Sequence, residues 1–523
     1  MRSVPLGRAA LAGAVAGAVG LGASELLAGI APAIPSLVVG IGRTVIEFAP
    51  AELVHLAISL FGTSDKAVLL AGLVVLSVAA GGGLGAVAAS RPSLAGRLLI
   101  ALGALLVVLV GRGQGASIPY GALGATVAIA TAVVAFRFLV ARAGVGRPDQ
   151  ARPPLLAGPA PAPVVERRGF LFAGVGFTAA AVLAGGAGRW LRRNAYAAVA
   201  RARIVLPRPA KAAPPLAEAA SFDVPGITPL ITPNHRFYRI DNALVVPGVD
   251  PENWSLRVHG RVDRPFELSF EELLALPMVE EHVTLACVSN DVGGDLVGTA
   301  RWLGTPLAAL LERAGVQPGT DQVVGRAVDG FTVGFPLDAA IDGRVALVAV
   351  GMNGEPLPII HGFPARLVVA GLYGYVSATK WLSEIELSTF DEFDAYWIPR
   401  GWARKGPVRL QSRIDVPRGG RTVTAGRVAV AGVAWAPTMG IGRVEVQVDE
   451  GPWHEARLAE AVNPQTWRQW VFEWEATRGT HRLRVRAIDG LGQLQDARER
   501  VPRPDGATGY HAVKVRVLDA SPA

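Results

Sequence analysis

Cys287 is the residue in this chain best suited to bind a transition metal. It is the only cysteine of the sequence, and it ends an apolar segment, residues 283–287, that reads as a buried strand running into the glycine-rich loop 290–294. A thiolate is a soft ligand, and a single one implies that a cofactor supplies the remaining ligands. The alternative is structural, because a lone cysteine in an apolar strand is most often a small buried hydrophobic residue.

Three cations on predicted turns are suited to bind an anionic, phosphate-bearing ligand. His361 and Arg366 belong to the segment His-Gly-Phe-Pro-Ala-Arg, and Lys380 precedes Trp381. Each has an ordinary alternative, since a turn histidine commonly bonds its own backbone and an arginine commonly forms a surface ion pair. Their occurrence together with Cys287 favours a cofactor site.

The composition divides the chain of 523 residues into two parts. The mean hydropathy of +0.36 is too high for a wholly soluble protein, and the apolar residues concentrate before residue 190. One cysteine excludes an internal disulfide. The pI is near 10, but the arginines are scattered rather than grouped on a basic helix, so we expect no nucleic-acid partner.

The first part is predicted to lie in a membrane. Apolar runs long enough to cross a bilayer occupy residues 8–30, 67–89, 94–111, 117–140 and 169–188. A further stretch, residues 36–61, contains Arg43, Glu47 and Glu52, and is predicted to be re-entrant or interfacial. Residues 1–145 thus hold four spans and this segment.

The arginines predict a topology in the inner (cytoplasmic) cell membrane. Most loop arginines fall on one side when the N-terminus is cytoplasmic, although those between residues 189 and 203 oppose this assignment. The proline-rich residues 146–168 form a cytoplasmic linker that ends in Arg167-Arg168. This pair resembles a twin-arginine export signal, or is simply a positively charged flank. The fifth span, residues 169–188, then places the C-terminal part on the outer side.

The second part is predicted to contain two domains after a linker at residues 189–221. Residues 222–407 mix short strands with a helix at 269–276, which indicates a mixed α/β domain. Residues 408–523 alternate apolar and polar residues in strands such as 422–430, 443–448, 467–474 and 481–489. That spacing favours an all-β, immunoglobulin-like sandwich.

Several segments resemble the sulfite oxidase family of molybdopterin enzymes, over about residues 225–520. These are Thr-Leu-Ala-Cys-Val-Ser-Asn at 284–290, Gly-Thr-Ala-Arg-Trp-Leu-Gly at 298–304, Met-Asn-Gly-Glu-Pro-Leu-Pro at 352–358, the segment around His361, and residues 371–381. The resemblance implies a membrane-anchored bacterial enzyme in which Cys287 binds molybdenum carried by a single pterin. It also implies that the C-terminal domain is a dimerisation domain, and thus a possible homodimer.

The resemblance also implies the residues of the site. The residues expected to bind the cofactor are Cys287, Tyr238, Arg239, His361, Arg366, Gly374, Tyr375, Ser377 and Lys380. At the reacting centre, Cys287 is joined by two departures from the family. Asp291 and Val292 stand in the region where sulfite oxidases carry arginines that help bind the anion, and Phe331 stands where they carry a tyrosine. Both changes weaken the expectation of sulfite as the substrate.

The expected function is therefore oxo transfer on a small sulfur or nitrogen oxo compound, with sulfoxide reduction as the nearest rival to sulfite oxidation. No Cys-x-x-Cys-His motif occurs and His55 is the only histidine before residue 190, so no haem is expected. Electrons would pass through a separate redox partner or a quinone. The remaining alternative is a non-catalytic binding or assembly module derived from the family.

Overall fold

The computed structural model of the chain describes residues 5–31, 34–50, 53, 56–57, 60–61, 65–111, 118–144, 164–194 and 197–519. The chain divides into two compact units. One comprises residues 1–196 with 243–248, and the other comprises residues 197–242 with 249–523.

The first unit is mainly helical up to residue 194. Its helices are α1 (Leu6–Ile30), α2 (Leu37–Phe48), α3 (Asp65–Ser90), α4 (Pro92–Gly111), α5 (Ile118–Gly144) and α6 (Val164–Asn194). All except α2 are long and apolar enough, by length and composition, to cross a membrane, and they coincide with the five apolar runs of the sequence. Helix α2, with 12 residues, is shorter than the roughly 20 residues that a span needs.

The two segments predicted to lie beside the spans are only partly described. Helix α2 covers the first half of residues 36–61, and several later residues of that stretch, including Glu52 and His55, lie outside the described residues. The proline-rich linker likewise lies outside them up to residue 163. Helix α6 begins at Val164, so Arg167 and Arg168 belong to the helix rather than to the linker.

Small residues allow helix α1 to pack closely against its neighbours in the first unit. A Cβ atom on Gly13 would lie 2.2 Å from the carbonyl oxygen of Gly81 on α3, and one on Gly29 would lie 2.4 Å from that of Gly188 on α6. Such contacts between backbones are typical of helix packing in membrane proteins.

The second unit begins with a mixed α/β region, in agreement with the prediction for residues 222–407. Its helices are α7 (Ala197–Arg203), α8 (Phe270–Ala275), α9 (Leu307–Ala314), α10 (Asp338–Ile341) and α11 (Gly374–Ser377). Its strands are β1 (Ser255–Gly260), β2 (Phe266–Ser269), β3 (Val279–Ala286), β4 (Val297–Pro306), β5 (Gln322–Ala327), β6 (Thr332–Pro336), β7 (Ala346–Met352), β8 (Glu355–Pro356), β9 (Arg366–Val369) and β10 (Leu382–Ser388).

These strands form two sheets. One has the order β3-β4-β7-β8, with β9 also paired to β7, and the other has the order β2-β1-β10-β5-β6. The predicted helix at 269–276 is present as α8. The hydroxyl of Ser269 caps it and the Glu272 side chain bonds back to the Ser269 backbone, which is a complete capping box.

The C-terminal region is all-β, as predicted. Its strands are β11 (Gln411–Val416), β12 (Thr422–Thr424), β13 (Gly426–Trp435), β14 (Ile441–Val448), β15 (Trp453–Glu455), β16 (Arg457–Leu458), β17 (Arg468–Ala476), β18 (Gly479–Asp489) and β19 (Ala512–Leu518). They form the sheets β11-β13-β17-β16 and β12-β19-β18-β14-β15. The single strand predicted at 422–430 is wrong, because the chain changes sheets at Gly426, where φ is +113°.

The boundary between the α/β region and the all-β region, near residue 408, separates their sheets. It does not divide the hydrophobic core. Trp435 and Trp467 of the C-terminal region belong to the same buried cluster as Leu256 and Leu307 of the α/β region. The indole of Trp467 also donates to the carbonyl oxygen of Leu230 at 2.8 Å. The α/β and all-β regions therefore form one compact unit.

Candidate active site

One cavity of the second unit brings together most of the residues predicted for the site. It encloses about 720 Å³ of empty space, including its opening to solvent. Its lining consists of Phe237, Tyr238, Ile240, Asp241, Asn242, Cys287, Ala327, Asp329, Phe331, His361, Arg366, Gly374, Tyr375, Ala378, Lys380, Trp381 and Trp397.

Cys287 reaches this cavity because strand β3 ends one residue before it. Its backbone N–H donates to the carbonyl oxygen of Leu296 at 2.9 Å, which closes the base of the glycine-rich loop. The side chain of Asn290 accepts from the N–H of Leu296 at 2.8 Å and braces the loop from within. Burial raises the pKa of the Cys287 thiol, while hydrogen bonds from Ser289 and the charge of Lys380 oppose the shift less strongly. The thiol therefore keeps its proton at neutral pH unless a metal displaces it.

Arg366 is a buried cation, and it is the strongest indication that the cavity binds an anionic ligand. The residue is 5% exposed. Among the described residues its guanidinium donates only long bonds, to the carbonyl oxygens of His361 at 3.2 Å and Leu367 at 3.3 Å, and it lies over the Trp302 ring at 5.0 Å. Burial lowers the pKa of Arg366 to about 10, so it remains charged at neutral pH. In the described part of the chain no carboxylate forms an ion pair with it. A buried charge without a counter-charge is costly, which favours binding of an anion here.

His361 is a neutral imidazole that donates through Nε2 and can accept a hydrogen bond at Nδ1. Its Nε2 atom lies 2.8 Å from the carbonyl oxygen of Asn234, which can only accept, so the ring proton is on Nε2. Burial, reinforced by the charges of Arg366 and Lys380, lowers the pKa of His361 to about 4. The ring packs edge-on against Phe237, with 5.6 Å between centroids. Nδ1 is thus left to accept a bond from a ligand.

Lys380 is tied to an acidic residue that sequence reasoning missed. Its Nζ lies 3.0 Å from the Asp241 carboxylate, which also accepts from Arg239 at 2.9 Å. Burial lowers the pKa of Lys380 to about 8 despite the opposing effect of Asp241. Arg239 does not itself line the cavity, and it reaches the site through Asp241. The proximity of Asp241 to Arg239 in sequence was the only signal for it.

This lowered pKa predicts a pH dependence of anion binding. Sulfate keeps its charge across the neutral and alkaline range, so calorimetry of sulfate binding to the cofactor-free chain reports the cavity cations alone. Lys380 is charged below its pKa and neutral above it. Affinity should therefore be flat below pH 8 and fall by at most about tenfold per pH unit above it. Lys380→Gln should abolish the slope, and a slope unchanged in that variant would contradict the assignment.

The remaining cofactor-binding predictions divide between the cavity wall and its support. Tyr238, Gly374 and Tyr375 line the cavity, and the Tyr375 hydroxyl donates to the carbonyl oxygen of Ala403 at 2.5 Å. Burial raises the pKa values of both tyrosines, so both hydroxyls stay protonated. Ser377 is fully buried beneath the wall, where its hydroxyl donates to the carbonyl oxygen of Tyr373 at 3.1 Å.

The two residues expected to shape substrate choice are placed differently. Phe331 lines the cavity, with its ring 5.6 Å from that of Tyr396. Asp291 is exposed, in a turn closed by a hydrogen bond from the Gly294 N–H to its own carbonyl oxygen, and it is not among the residues that line the cavity. The structure therefore does not bring Asp291 to the cavity, contrary to the expectation that its carboxylate meets the substrate. Asp329, in the turn before Phe331, lines the cavity instead.

Comparison with known proteins identifies the family to which the chain belongs. The oxidoreductase molybdopterin binding domain matches residues 243–397, which include Cys287, His361, Arg366 and Lys380. The protein named "Uncharacterized oxidoreductase YuiH" of Bacillus subtilis is 36% identical over 157 residues, which are 30% of this chain and 76% of that protein. The chain belongs to the sulfite oxidase family of molybdopterin oxidoreductases.

More distant similarities extend over the second unit. The mitochondrial sulfite oxidase of Homo sapiens is 31% identical over 308 residues, which cover 50% of this chain and 56% of that protein. The chain therefore spans little more than half the length of the curated sulfite oxidases it matches. The solved structure of the sulfane dehydrogenase SoxCD from Paracoccus pantotrophus aligns with a TM-score of 0.50 at 22% identity, over 55% of this chain and 82% of that one. This last similarity shows a shared fold.

The residues present fit a molybdenum-molybdopterin cofactor. The single soft ligand, Cys287, matches a metal whose other ligands come from a cofactor. The unneutralised guanidinium of Arg366, with Lys380 and the acceptor atom of His361, matches a polar heterocycle that bears a phosphate. Within the described residues no cluster of three His, Cys, Asp or Glu side chains offers an alternative metal site.

Proposed function

We propose that the chain is a membrane-anchored molybdenum oxidoreductase that transfers an oxo group to or from a small, non-anionic sulfur or nitrogen compound. The observation that carries this proposal is one cavity holding both a buried thiol, Cys287, and a buried cation without a carboxylate partner among the described residues, Arg366. When bound, the cofactor supplies two-electron chemistry and the exchange of an oxygen atom. The chain supplies binding, orientation and exclusion of water.

The cofactor-binding residues have separable roles. Cys287 would donate its thiolate to the metal after losing its proton, which burial otherwise retains. Arg366 and Lys380 would bind the phosphate, and Asp241 keeps Lys380 in place until then. Nδ1 of His361 would orient the ring system by accepting a hydrogen bond. None of these groups is then available to bind an anionic substrate.

The residues left for the substrate favour an uncharged or cationic compound. Phe331 and Trp397 present aromatic rings to the cavity, and Asp329 adds a carboxylate that accepts from the Phe331 N–H at 3.2 Å. The Asp329 carboxylate disfavours an anion such as sulfite, whereas a neutral sulfoxide or an amine N-oxide can pack on the aromatic rings. This supports sulfoxide-type reduction over sulfite oxidation.

The proposal includes the anchoring of the chain in a membrane and its assembly into a dimer. The five long apolar helices support a multi-pass position in the cytoplasmic membrane, and the arginine distribution supports a catalytic region on its outer side. Electrons would come from a quinone or a separate redox protein. The all-β region, with its two sheets packed around Val430, Val444 and Trp470, supports an immunoglobulin-like dimerisation domain.

Metal analysis and a substrate screen on the purified full chain test this function. From a host that makes the cofactor, we expect near-stoichiometric molybdenum and pterin. We also expect reduction of neutral sulfoxides or N-oxides, with an artificial donor, at least about tenfold more efficient than sulfite oxidation. Protein without molybdenum would refute the function itself. Efficient sulfite turnover would refute the proposed substrate class.

A pair of acidic residues gives the matched comparison for substrate charge. Asp329→Asn removes the cavity carboxylate and should improve kcat/KM for sulfite by about tenfold, since it removes repulsion of roughly 1–2 kcal/mol at close range. Asp291→Asn removes an exposed charge that does not line the cavity and should not change kcat/KM for sulfite. Equal effects in the two variants would show that the cavity wall does not set substrate charge.

A further inference from the structure

The all-β region holds the apex of the loop that carries Cys287. Arg413, on β11, donates from Nη1 to the carbonyl oxygen of Gly294 at 2.7 Å. The neighbouring Gly293, at φ +79°, lies against the ring of His511, and a Cβ atom there would come within 2.2 Å of the His511 Cδ2 atom. Arg413 and His511, which are distant in sequence, therefore contact the adjacent glycines Gly294 and Gly293 of this loop.

Arg413 is itself fixed on every branch of its guanidinium. Nε pairs with the Asp415 carboxylate at 2.7 Å, and Nη2 donates to the Thr228 hydroxyl at 2.8 Å. The Thr228 N–H in turn donates to Asp415 at 3.0 Å. The Arg413 and Asp415 side chains are only 9% and 8% exposed. A nearly buried guanidinium held by three partners is a rigid donor rather than a mobile surface charge.

The same region also holds the strand that leads to Cys287. The N–H of Thr284 donates to the carbonyl oxygen of Gln465 at 3.0 Å, and the Thr284 hydroxyl accepts from the N–H of Trp467 at 2.7 Å. The Asn463 amide donates to the carbonyl oxygen of His282 at 3.0 Å. Strand β3 is thus fixed from the all-β region three and five residues before the thiol.

The internal bonds of the loop do not replace these contacts. The bond from Cys287 to Leu296 closes its base, and the bond from Gly294 to Asp291 closes a local turn. Neither ties the apex to the rest of the unit. A glycine-rich loop without an external tether samples many conformations, because glycine restricts the backbone least.

We propose that Arg413 is a positioning residue: through Gly294 it fixes the loop in the conformation that points the Cys287 thiol into the cavity. The all-β region thereby completes the metal-binding site, in addition to any role in assembly. Cys287 carries the only thiol in the chain, so the rate of its alkylation measures how often this loop opens. The proposal concerns the loop of the cofactor-free chain, and it stands independently of the reaction that the enzyme catalyses.

Alkylation of Cys287 in the cofactor-free full chain tests this proposal. The residue is 7% exposed, so iodoacetamide reaches it only when the loop opens. Arg413→Met removes the tether and should raise the native-state alkylation rate by about tenfold or more, the factor expected for the loss of a charge-assisted hydrogen bond. Arg413→Lys can still donate one bond to Gly294 and should restore part of the protection.

A second arginine separates positioning from general stability. Arg468, in the same all-β region, donates to the carbonyl oxygens of Ala459 at 2.6 Å and Ile441 at 2.9 Å, away from the loop. Arg468→Met should lower the melting temperature without accelerating alkylation under native conditions. Wild-type alkylation in folded Arg413→Met, or equal acceleration in Arg468→Met, would overturn the proposal.

A milder variant decides the matter should Arg413→Met fail to fold. Thr228→Val removes one of the three partners that hold the Arg413 guanidinium, so the bond from Arg413 to Gly294 is held less rigidly and opens more often. Alkylation should then accelerate severalfold, while the Thr228 N–H still bonds Asp415. An unchanged rate in this variant would count against Arg413 as the positioning residue.

Discussion

Replacing Cys287 by serine is expected to reduce turnover by about a thousandfold or more while leaving the cofactor largely bound. Serine has nearly the same size, so the loop should keep its conformation. Its hydroxyl is a hard, weakly acidic group that cannot replace a soft thiolate. The phosphate-binding residues are unchanged, and Arg366 still provides the buried positive charge. Activity and cofactor content should therefore separate in this variant.

The measurement combines steady-state turnover with molybdenum and pterin analysis of the same preparation. Ser289→Ala is the graded comparison, because Ser289 only donates hydrogen bonds to the Cys287 sulfur. It should cost about tenfold, as expected for one hydrogen bond to a charged group. A Cys287→Ser protein within tenfold of wild-type activity would show that the thiolate is not needed. The same result, with unchanged folding and cellular phenotype, would favour a non-catalytic module.

The parts of the site that follow from local sequence were predictable. Strand β3 and the glycine-rich loop after it are encoded by an apolar run followed by turn residues, so the position of Cys287 at a strand end could be predicted. The cations of residues 361–380 were predictable as a group because they lie on turns of a recognisable segment. The structure brings all three, His361, Arg366 and Lys380, to one cavity, where His361 is neutral rather than a cation.

The parts that depend on contacts distant in sequence were not predictable. Arg413 is 119 residues from Gly294, and no local pattern distinguishes it from other arginines of the all-β region. Whether Asp291 lines the cavity depends on how its loop folds against the rest of the unit, which the local sequence does not determine. Asp329 was missed for the same reason, since a turn aspartate is usually exposed.

Arg366 allows a second large effect to be predicted, with opposite signs for binding and stability. Arg366→Met removes the cation that favours a phosphate, and cofactor affinity should fall by about 3 kcal/mol, roughly a hundredfold. In the cofactor-free chain the same change removes a buried charge without a carboxylate partner among the described residues. That chain should become more stable, by about 1–3 kcal/mol, because an apolar side chain of similar length replaces a desolvated ion.

Opposite signs distinguish a ligand-binding arginine from a structural one. The retained molybdenum and pterin, measured after gel filtration, should fall in Arg366→Met, whereas the melting temperature of its cofactor-free form should rise. Arg427→Met is the control, since that residue is 70% exposed in a surface ion pair with Glu473 and should change neither quantity. A cofactor-free Arg366→Met chain that melts lower than wild type would mean that Arg366 supports the fold. In that case the burial of Arg366 would not indicate an anion-binding site.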